Sequence, residues 1–592
     1  MKSNTGTIIL RVVFFVIMLT LAYLHVNNLF RGLSSPQGME QAQIAREVAR
    51  GNGLTSKVIR PAAVRMNQEA TNGQGSLLDS CENTYHAPLQ PLLLGAAFKI
   101  VGAQNFEDWR PEKNEFVYEL DRLVAGFSIV CFILSIGVTY LLVSRIFDSK
   151  IAATSAVLML FCELMWKLSM SGLPQMLMLL LFTSGCYFAY RAFEATDEDR
   201  LTLLHSILAA IFFTLLCLTH WLAIWILIGY AIAAALFIRP RGISGIIAFV
   251  FLILAVIFPI LQNVKTTGFI GGTAFLVMHE GLGFGEDYAM RSYDTAVPNL
   301  RSVTLNLLRL TITQTTDLHS YFGAILAAPI FFISLFHPFK KAPISNFRWA
   351  LLIMWVSAVF GMSIFGLKGG EMSSNQLHIL FAPLLGSFGL AMISVLWARL
   401  DIADKLPLMS NAHLILIALV STLPFFLTLP IQASRTLGSE AKAPPQYPPY
   451  APSILDDTIP DFTDSNEIIA SDQPWAIAWY TDRHSLWLPY KNADLERIEN
   501  IANTEETPVV GVLITPVSSD SQPLSRMTRS YGEYMSLMLD TWAQLATRNP
   551  QHNIVSSQDR NLQSFSTRYP HSQTLLFRSS PMNLYSTRKI GN

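Results

Sequence analysis

About eleven long apolar runs constrain this chain more than any other feature, because each approaches the roughly 20 residues that a helix needs to cross a bilayer. Only 14% of the 592 residues are charged and 51% are hydrophobic, whereas a soluble domain carries about 25% charged residues. The pattern therefore predicts an α-helical polytopic membrane protein with about eleven transmembrane helices. The predicted spans are 8–30, 121–146, 151–167, 174–193, 201–218, 220–238, 243–262, 321–337, 348–366, 376–398 and 412–431.

Two parts of this pattern need separate interpretation. The stretch 201–238 is either two short spans that separate at Thr219-His220, or one span followed by a re-entrant piece. The first apolar run lacks the small-residue cleavage site of a secretory signal peptide, so we expect it to remain as a membrane span. The net charge of +0 argues against a nucleic acid as a partner.

The charges of the short loops predict the orientation. With about eleven crossings, the lysines and arginines of the short loops all fall on one side, which marks that side as cytoplasmic. The opposite side receives a first outer loop (31–118), a second outer loop (263–318) and everything after residue 431. Because most of the polar sequence lies on that side, we expect the functional site there, outside the cytoplasm.

The last quarter of the chain loses the membrane composition. Residues 1–431 are predicted as the transmembrane part, 432–452 as a proline-rich linker, and 453–592 as an extracytoplasmic α/β domain of alternating elements. A turn at Asp472-Pro474-Trp475 either stacks on a sugar or packs against the membrane part. Strands are predicted at 467–470, 485–488, 508–514, 573–578 and 583–586, and helices at 474–480, 495–502 and 526–548.

An amphipathic helix is predicted directly after the first span. Ser35-Pro36 is a helix opening, and Gly51 provides a stop, so the helix is expected to lie on the membrane surface. Glu40 lies near its start, where the helix dipole favours an ionised carboxylate that can accept a proton. Three cations that follow, Arg46, Lys57 and Arg60, are candidates for a phosphate. The alternative is a charged face that is merely solvated.

A second short helix is predicted between Pro88 and Gly102, too short to span a bilayer. His86 lies at its start, where an imidazole either contacts a phosphate or an acceptor, or is structural. The second outer loop is rich in glycine and ends in an amphipathic stretch at 300–316, which is either a mobile lid or a connector. His279-Glu280 and Glu286-Asp287 lack the spacing of metal ligands, so a divalent metal is possible but unsupported and no cofactor is predicted.

Three passages resemble the GT-C superfamily of membrane glycosyltransferases, and within it the family 39-like group of protein-mannosyltransferases and aminoarabinose transferases. The first passage is Met39–Arg46 closed by Gly51-Asn52-Gly53. The second runs from His86-Ala87-Pro88-Leu89 to Gly102 and on to Asp121-Arg122-Leu123. The third is 471–475 with Ala478-Trp479-Tyr480 and Leu488-Pro489.

The resemblance implies a glycosyltransferase that moves a hexose or pentose from a polyprenyl-phosphate donor to a lipid, glycan or protein acceptor. It places the protein in a membrane, most simply the bacterial cytoplasmic membrane, with the reaction on the outer side. The role of the family's loop carboxylate falls on Glu40, as base for the acceptor. Many relatives carry a second acid where this chain has Gln175, and Glu163 is the nearest acidic substitute. Asn375–His378 replaces an Arg-Tyr pair.

Phosphate is a competent leaving group, so the predicted chemistry needs a base, cations for the developing charge and an apolar groove for the lipid. Direct displacement predicts inversion at the anomeric carbon. The alternatives are a non-catalytic relative or a transporter of lipid-linked sugars, and a polymerase or ligase of surface polysaccharide. The phosphate-binding candidates are Arg46, Lys57, Arg60, His86, Arg291 and Arg301, and the acceptor- or sugar-contacting candidates are Gln43, Tyr85, Gln175 and His378.

Overall fold

The computed structural model is a bundle of apolar helices joined to a smaller α/β unit. It describes residues 3–111, 117–195, 199–239, 241–279, 286–295, 298–365, 372–400, 409–437, 452–515, 528, 530–547, 559–577 and 580–589. The predicted fold class is confirmed, and the chain is an integral membrane protein. Most of the predicted linker, 438–451, lies outside the described residues.

Within the described ranges, eight helices are long and apolar enough to cross a membrane, and a bent pair raises the number to nine. In that pair, Ser149–Leu160 and Glu163–Ser169 meet at 57°. The helices of the membrane part are α1 Ser3–Leu24, α2 Pro36–Arg50, α3 Pro61–Ala70, α4 Leu89–Val101, α5 Glu119–Ile146, α6 Ser149–Leu160, α7 Glu163–Ser169, α8 Gln175–Glu194, α9 Asp199–Thr219, α10 Ile224–Phe237, α11 Ile243–Thr267, α12 Ala274–His279, α13 Glu286–Arg291, α14 Leu300–Thr316, α15 Leu318–Tyr321, α16 Ala327–Ser334, α17 Ala342–Phe365, α18 His378–Ala398 and α19 Ala412–Leu437.

Two of the predicted spans form shorter helices than the sequence predicted, because their apolar runs are interrupted. The 201–238 stretch separates at His220, whose ring caps a short turn before α10, so α10 is one of the shorter apolar helices. In the run 321–337, Gly323 and Ala324 both have positive φ, at 67° and 59°. The turn that they form leaves only the eight residues of α16 as helix.

Helix α2 begins and ends where the sequence predicted. The Ser35 hydroxyl accepts a hydrogen bond from the Gly38 amide, and Gly51 ends the helix in the left-handed conformation, with φ 90°. Gly38 is required by packing, since a Cβ there would lie 2.7 Å from the carbonyl oxygen of Ser171, in the loop between α7 and α8. That close approach fixes the start of α2 against the membrane helices.

The predicted position of α2 on an open membrane surface is wrong. The helix is enclosed by α4 and by the C-terminal unit, and its polar side chains are buried together with its apolar ones. Hydrophobic periodicity identified the helix correctly, but it could not show that a distant part of the chain covers the polar face.

The C-terminal unit has the predicted alternation of strands and helices around one six-stranded sheet. With β1 at Val58–Ile59, the sheet order is β1-β3-β2-β4-β6-β5. Strands β1, β3, β2 and β4 pair in parallel, and β6 pairs antiparallel with β4 and β5. Its elements are β2 Ile468–Ser471, β3 His484–Trp487, β4 Val509–Ile514, β5 His571–Phe577, β6 Ser580–Ser586, and α20 Pro452–Phe462, α21 Pro474–Tyr480, α22 Asn492–Thr504, α23 Met535–Thr547 and α24 Gln563–Arg568. The helix predicted at 526–548 is shorter at its start, and residues 516–527 lie outside the described part.

One edge strand of this sheet comes from the first outer loop. Strand β1, Val58–Ile59, pairs in parallel with β3, with Val58 opposite Ser485. The first outer loop and the C-terminal unit therefore lie on the same side of the helical bundle and share one sheet.

Helix α21 joins the two parts more firmly. At the start of α5, the buried carboxylate of Asp121 accepts hydrogen bonds from Trp479 Nε1 at 2.7 Å and from the Tyr480 hydroxyl at 3.0 Å. Because a fully buried carboxylate requires such donors, this contact ties α21 to the entrance of a membrane span.

Candidate active site

A buried carboxylate lies at the centre of the first outer loop. Glu40 Oε2 is 2.5 Å from Arg60 Nη2 and 2.9 Å from His86 Nε2, and Glu40 Oε1 accepts a hydrogen bond from the Ser56 hydroxyl at 3.1 Å. The Glu40 residue is only 2% exposed. Burial by itself raises the pKa of this carboxyl, but the charge of Arg60 and the hydrogen bonds from Arg60 and His86 hold it well below its usual range. Glu40 is therefore ionised.

The partners of Glu40 are positioned by the local fold. Ser56 and Arg60 flank strand β1, which is held in place by its pairing with β3. The backbone of His86 is fixed at both ends by the Asn83 side chain, which accepts from His86 N and donates to His86 O. The Arg60 guanidinium lies 4.4 Å from the centre of the Tyr85 ring, which in turn meets the His86 ring edge-on at 4.8 Å.

A small cavity of about 60 Å³ opens beside this cluster. His86 and Tyr85 line it, whereas Glu40 lies behind His86 and does not reach its surface. The remaining wall comes from the break between α9 and α10, the start of α12 and the loop that precedes α18. The cavity thus lies where the first outer loop meets the ends of the membrane helices.

Several polar residues of this cavity were not among the predicted site residues. They include Gln41, His220, Ser374 and Asn375. Gln41 Oε1 is buried and makes no hydrogen bond within the part of the chain that the structure describes. His220 could have been found from the sequence, because it interrupts an apolar run where a polar residue is costly unless it serves a site.

Two of the predicted phosphate ligands, Arg46 and Lys57, lie away from the cavity. Both form ion pairs with Asp482 of the C-terminal unit, at 3.1 Å for Arg46 Nη2 and 2.8 Å for Lys57 Nζ. Arg46 also donates to the carbonyls of Ala478 and Trp479 at the end of α21, each at 3.0 Å. These cations therefore hold the two parts of the protein together.

The other two predicted cations are also distant from Glu40. Arg291 is buried and donates to the carbonyl oxygens of Leu488, at 2.7 Å, and Ser530, at 2.6 Å, with its guanidinium 4.0 Å from the Tyr490 ring centre. Arg301 is exposed at the start of α14. Of the six predicted phosphate ligands, the structure brings only Arg60 and His86 to Glu40.

The predicted sugar- and acceptor-contacting residues are divided in the same way. Tyr85 lines the cavity. Gln175 lies one layer behind it, where its amide donates to the Ser374 carbonyl at 2.7 Å. Gln43 is fully buried and accepts from the Lys57 amide at 2.9 Å, on the side of α2 that faces the C-terminal unit. His378 is fully buried, and its Nδ1 accepts from Trp355 Nε1 at 3.3 Å.

The second acidic candidate, Glu163, is not part of this cluster. It pairs with Lys167 at 2.9 Å and lines a separate small cavity with His25 and Trp166. The turn that the sequence offered for sugar stacking is used inside the protein. Asp472 accepts from the Thr515 amide at 2.9 Å, and Trp475 packs edge-on against Trp487 at 5.4 Å.

No metal centre is visible in the described ranges, where no three His, Cys, Asp or Glu side chains are grouped to hold an ion. Glu280 lies outside these ranges, so the loop pairs that the sequence analysis considered are not described as a set. The lining of the cavity beside Glu40 combines apolar side chains with imidazoles, amides and hydroxyls, and these polar groups suit a ligand such as a sugar or a phosphate ester.

No protein-family model matches the sequence, and no curated protein matches it. Among solved structures, ArnT from Cupriavidus metallidurans bound to undecaprenyl phosphate is similar with a TM-score of 0.52 and 12% identity, over 99% of this chain and 98% of that one. The Archaeoglobus fulgidus oligosaccharyltransferase in complex with zinc and sulfate gives 0.51 and 14%, over 87% and 69%. Archaeal oligosaccharyltransferase AglB from the same organism, with an inhibitory peptide and a dolichol-phosphate, gives 0.51 and 13%, over 88% and 71%.

At these identities the likeness is one of fold. It extends along nearly the whole chain for ArnT, including the C-terminal unit as well as the helices. The chain therefore shares the fold of ArnT and of these oligosaccharyltransferases.

Proposed function

We propose that this protein transfers a sugar from a polyprenyl-phosphate donor to a lipid, glycan or protein acceptor, with inversion at the anomeric carbon. The observation that carries the proposal is the ionised Glu40, buried with Arg60 and His86 beside a cavity at the ends of the membrane helices. Burying three ionisable side chains is costly. A buried, charged cluster beside a cavity is typical of a functional site.

The arrangement supplies what this reaction requires. Bond breaking leaves negative charge on the lipid phosphate. His86 lines the cavity, and the Arg60 guanidinium lies against the ring of Tyr85, which also lines it, so these two side chains supply positive charge or hydrogen bonds to that phosphate. The cluster receives the proton that the acceptor loses as it attacks, and the Glu40 carboxylate contributes the negative charge that favours this transfer. The amide of Gln41 is available to a sugar hydroxyl.

Two of the similar structures support a lipid carrier. The ArnT structure holds undecaprenyl phosphate and the AglB structure holds a dolichol-phosphate. The present cavity lies between the first outer loop and the membrane helices, so a lipid-linked donor could place its phosphate there and its chain in the bilayer.

We further propose that the reaction takes place outside the cytoplasm, in a bacterial cytoplasmic membrane. The positive charge of the short loops supports this orientation. The first outer loop and the C-terminal unit share one sheet, which supports their placement together on the opposite side.

The test is a comparison of cell-envelope glycolipids and glycoproteins by mass spectrometry, in cells with the wild-type chain and with Glu40→Asp. Aspartate keeps the charge that Arg60 needs but shortens the side chain by one methylene, so the variant should fold and lose its glycosylated product. Glu69→Asp is the matched control, because Glu69 is 64% exposed on neighbouring α3. An unchanged product with Glu40→Asp would contradict the proposal, and a lipid-linked sugar that changes sides without transfer would indicate a transporter.

A further inference from the structure

We infer that His86 is the residue that takes the proton from the acceptor, and that Glu40 is a positioning residue that acts through His86. This inference rests on the proposed function and refines it. It follows from which of the two side chains can reach a molecule in the cavity, and from which atoms of each are already engaged.

Both carboxylate oxygens of Glu40 are engaged within the protein, and the residue does not line the cavity. Its Oε2 receives both Arg60 and His86, its Oε1 receives the Ser56 hydroxyl, and the residue is 2% exposed. A proton from the acceptor would have to pass around His86 to reach it. The nearby positive charge also makes the carboxylate a weak base, because it holds the pKa of Glu40 well below the usual range.

His86 has the opposite properties. His86 lines the cavity, and its Nε2 is held by Glu40 at 2.9 Å. A carboxylate at Nε2 favours the tautomer in which that nitrogen carries the hydrogen, so Nδ1 has a free lone pair. Nδ1 makes no hydrogen bond to any residue that the structure describes. The ring is also held in orientation by the Asn83 contacts to its backbone and by Tyr85 at its edge.

The proposed reaction is a direct displacement at the anomeric carbon. The acceptor oxygen forms a bond to the anomeric carbon while the bond from that carbon to the phosphate oxygen breaks. The electron pair of the broken bond stays on the phosphate. The acceptor proton moves to His86 Nδ1, and the resulting imidazolium is stabilised by the Glu40 carboxylate at Nε2. The proton then leaves through the cavity to solvent.

A competing role for His86 is that of a cation that only binds the donor phosphate. The two roles differ in what can replace the imidazole. A lysine beside Glu40 would stay protonated, so it can replace a phosphate ligand but not a base. A small imidazole from solution can replace a base when the side chain is removed, because the cavity gives it access.

The experiment uses the purified full chain in lipid nanodiscs, with undecaprenyl-phosphate mannose, glucose and N-acetylglucosamine as donors and a cell-envelope extract as the source of acceptor. The readout is the release of undecaprenyl phosphate that depends on the acceptor. His86→Ala should reduce turnover by about 10²–10⁴-fold, the usual contribution of a general base. Its binding of undecaprenyl phosphate, measured by thermal shift, should change less than threefold. Added imidazoles should restore turnover in the order of their basicity, and His86→Lys should remain inactive.

His220→Ala is the matched control, since His220 lines the same cavity and its Nδ1 accepts from the Leu222 amide. Its activity should not respond to imidazole basicity. A His86→Lys variant with wild-type turnover, or a His86→Ala variant whose whole defect is weaker lipid binding, would overturn the inference and leave the proposed function intact. A wild-type chain that releases undecaprenyl phosphate from none of the donors would contradict both.

Discussion

Replacing Arg46 by methionine tests whether this cation holds the protein together or binds the donor. The Arg46 side chain is fully buried, donates two hydrogen bonds of 3.0 Å to carbonyls at the end of α21 and pairs with Asp482 at 3.1 Å. Methionine fills most of the same volume but has no donor. Hydrogen bonds from a charged group contribute about 1.5–3 kcal/mol each, and breaking a buried pair costs about 3–5 kcal/mol.

These contributions overlap, because one guanidinium makes all three contacts and Asp482 keeps Arg50 and Lys57. We therefore expect Arg46→Met to lower the free energy of unfolding by about 3–5 kcal/mol in total. The assay is chemical unfolding in detergent, combined with limited proteolysis, which should release the C-terminal unit from the variant first. Arg301→Met is the matched control, since Arg301 is exposed and the change should stay within about 0.5 kcal/mol.

One outcome would show instead that Arg46 binds the donor. If Arg46→Met unfolds like the wild type and resists proteolysis, but binds undecaprenyl phosphate more than tenfold less tightly, then Arg46 contacts the donor. The ion pairs and carbonyl contacts at α21 would in that case contribute little to docking.

Two further substitutions test the ion pairs of Asp482 and the packing of helix α2. Burial raises the pKa of the Asp482 carboxyl, but Arg46, Lys57 and Arg50 hold it well below the ordinary value of 3.8; its contribution to stability should therefore be complete above pH ~5 and be lost as the pH falls below ~4. The difference in unfolding free energy between wild type and Asp482→Asn, measured from pH 3 to 7, should shrink at the acid end, and a constant difference would contradict this assignment. Gly38→Ala should cost about 1–3 kcal/mol and reduce turnover, because its Cβ would lie 2.7 Å from the Ser171 carbonyl oxygen. Gly137→Ala on α5, where a Cβ meets nothing within 4 Å, should be neutral, and equal effects of the two alanines would exclude the packing explanation.

The charged residues of helix α2 serve two separate purposes in the fold. Glu40 faces Arg60 and His86 at the cavity, whereas Arg46 faces Asp482 and the end of α21. A single helix therefore links the candidate active site to the C-terminal unit, and loss of docking should also disturb the cavity.

Local signals in the sequence were sufficient for many elements. The Ser35-Pro36 start and the Gly51 stop of α2, the whole of α14 at Leu300–Thr316 and the whole of α21 at Pro474–Tyr480 were predicted at or near their observed limits. Capping residues, prolines and apolar periodicity act within one or two turns of the chain, so they can be recognised without knowledge of the rest.

The long-range contacts of these residues could not be predicted from the sequence. A cation on α2 shows that it needs an anion or a carbonyl, but many are available, and the one that Arg46 uses is 436 residues further on, at Asp482. Likewise, nothing local shows that Val58–Ile59 completes a sheet whose other strands begin at Ile468. The broken run at 321–337 was missed because hydropathy does not register the positive φ of Gly323 and Ala324.

Hydropathy, helix capping and the alternation of strands and helices are short-range properties. The sequence was therefore enough to predict the membrane helices, the acid of the first loop and the α/β unit that follows the helices. Tertiary packing encloses Glu40 behind His86 and brings Arg60 and His86 to it, whereas Arg46, Lys57 and Arg291 connect distant segments of the chain. The physical reason is that burial and ion pairing depend on which surfaces meet, and long-range packing alone sets that.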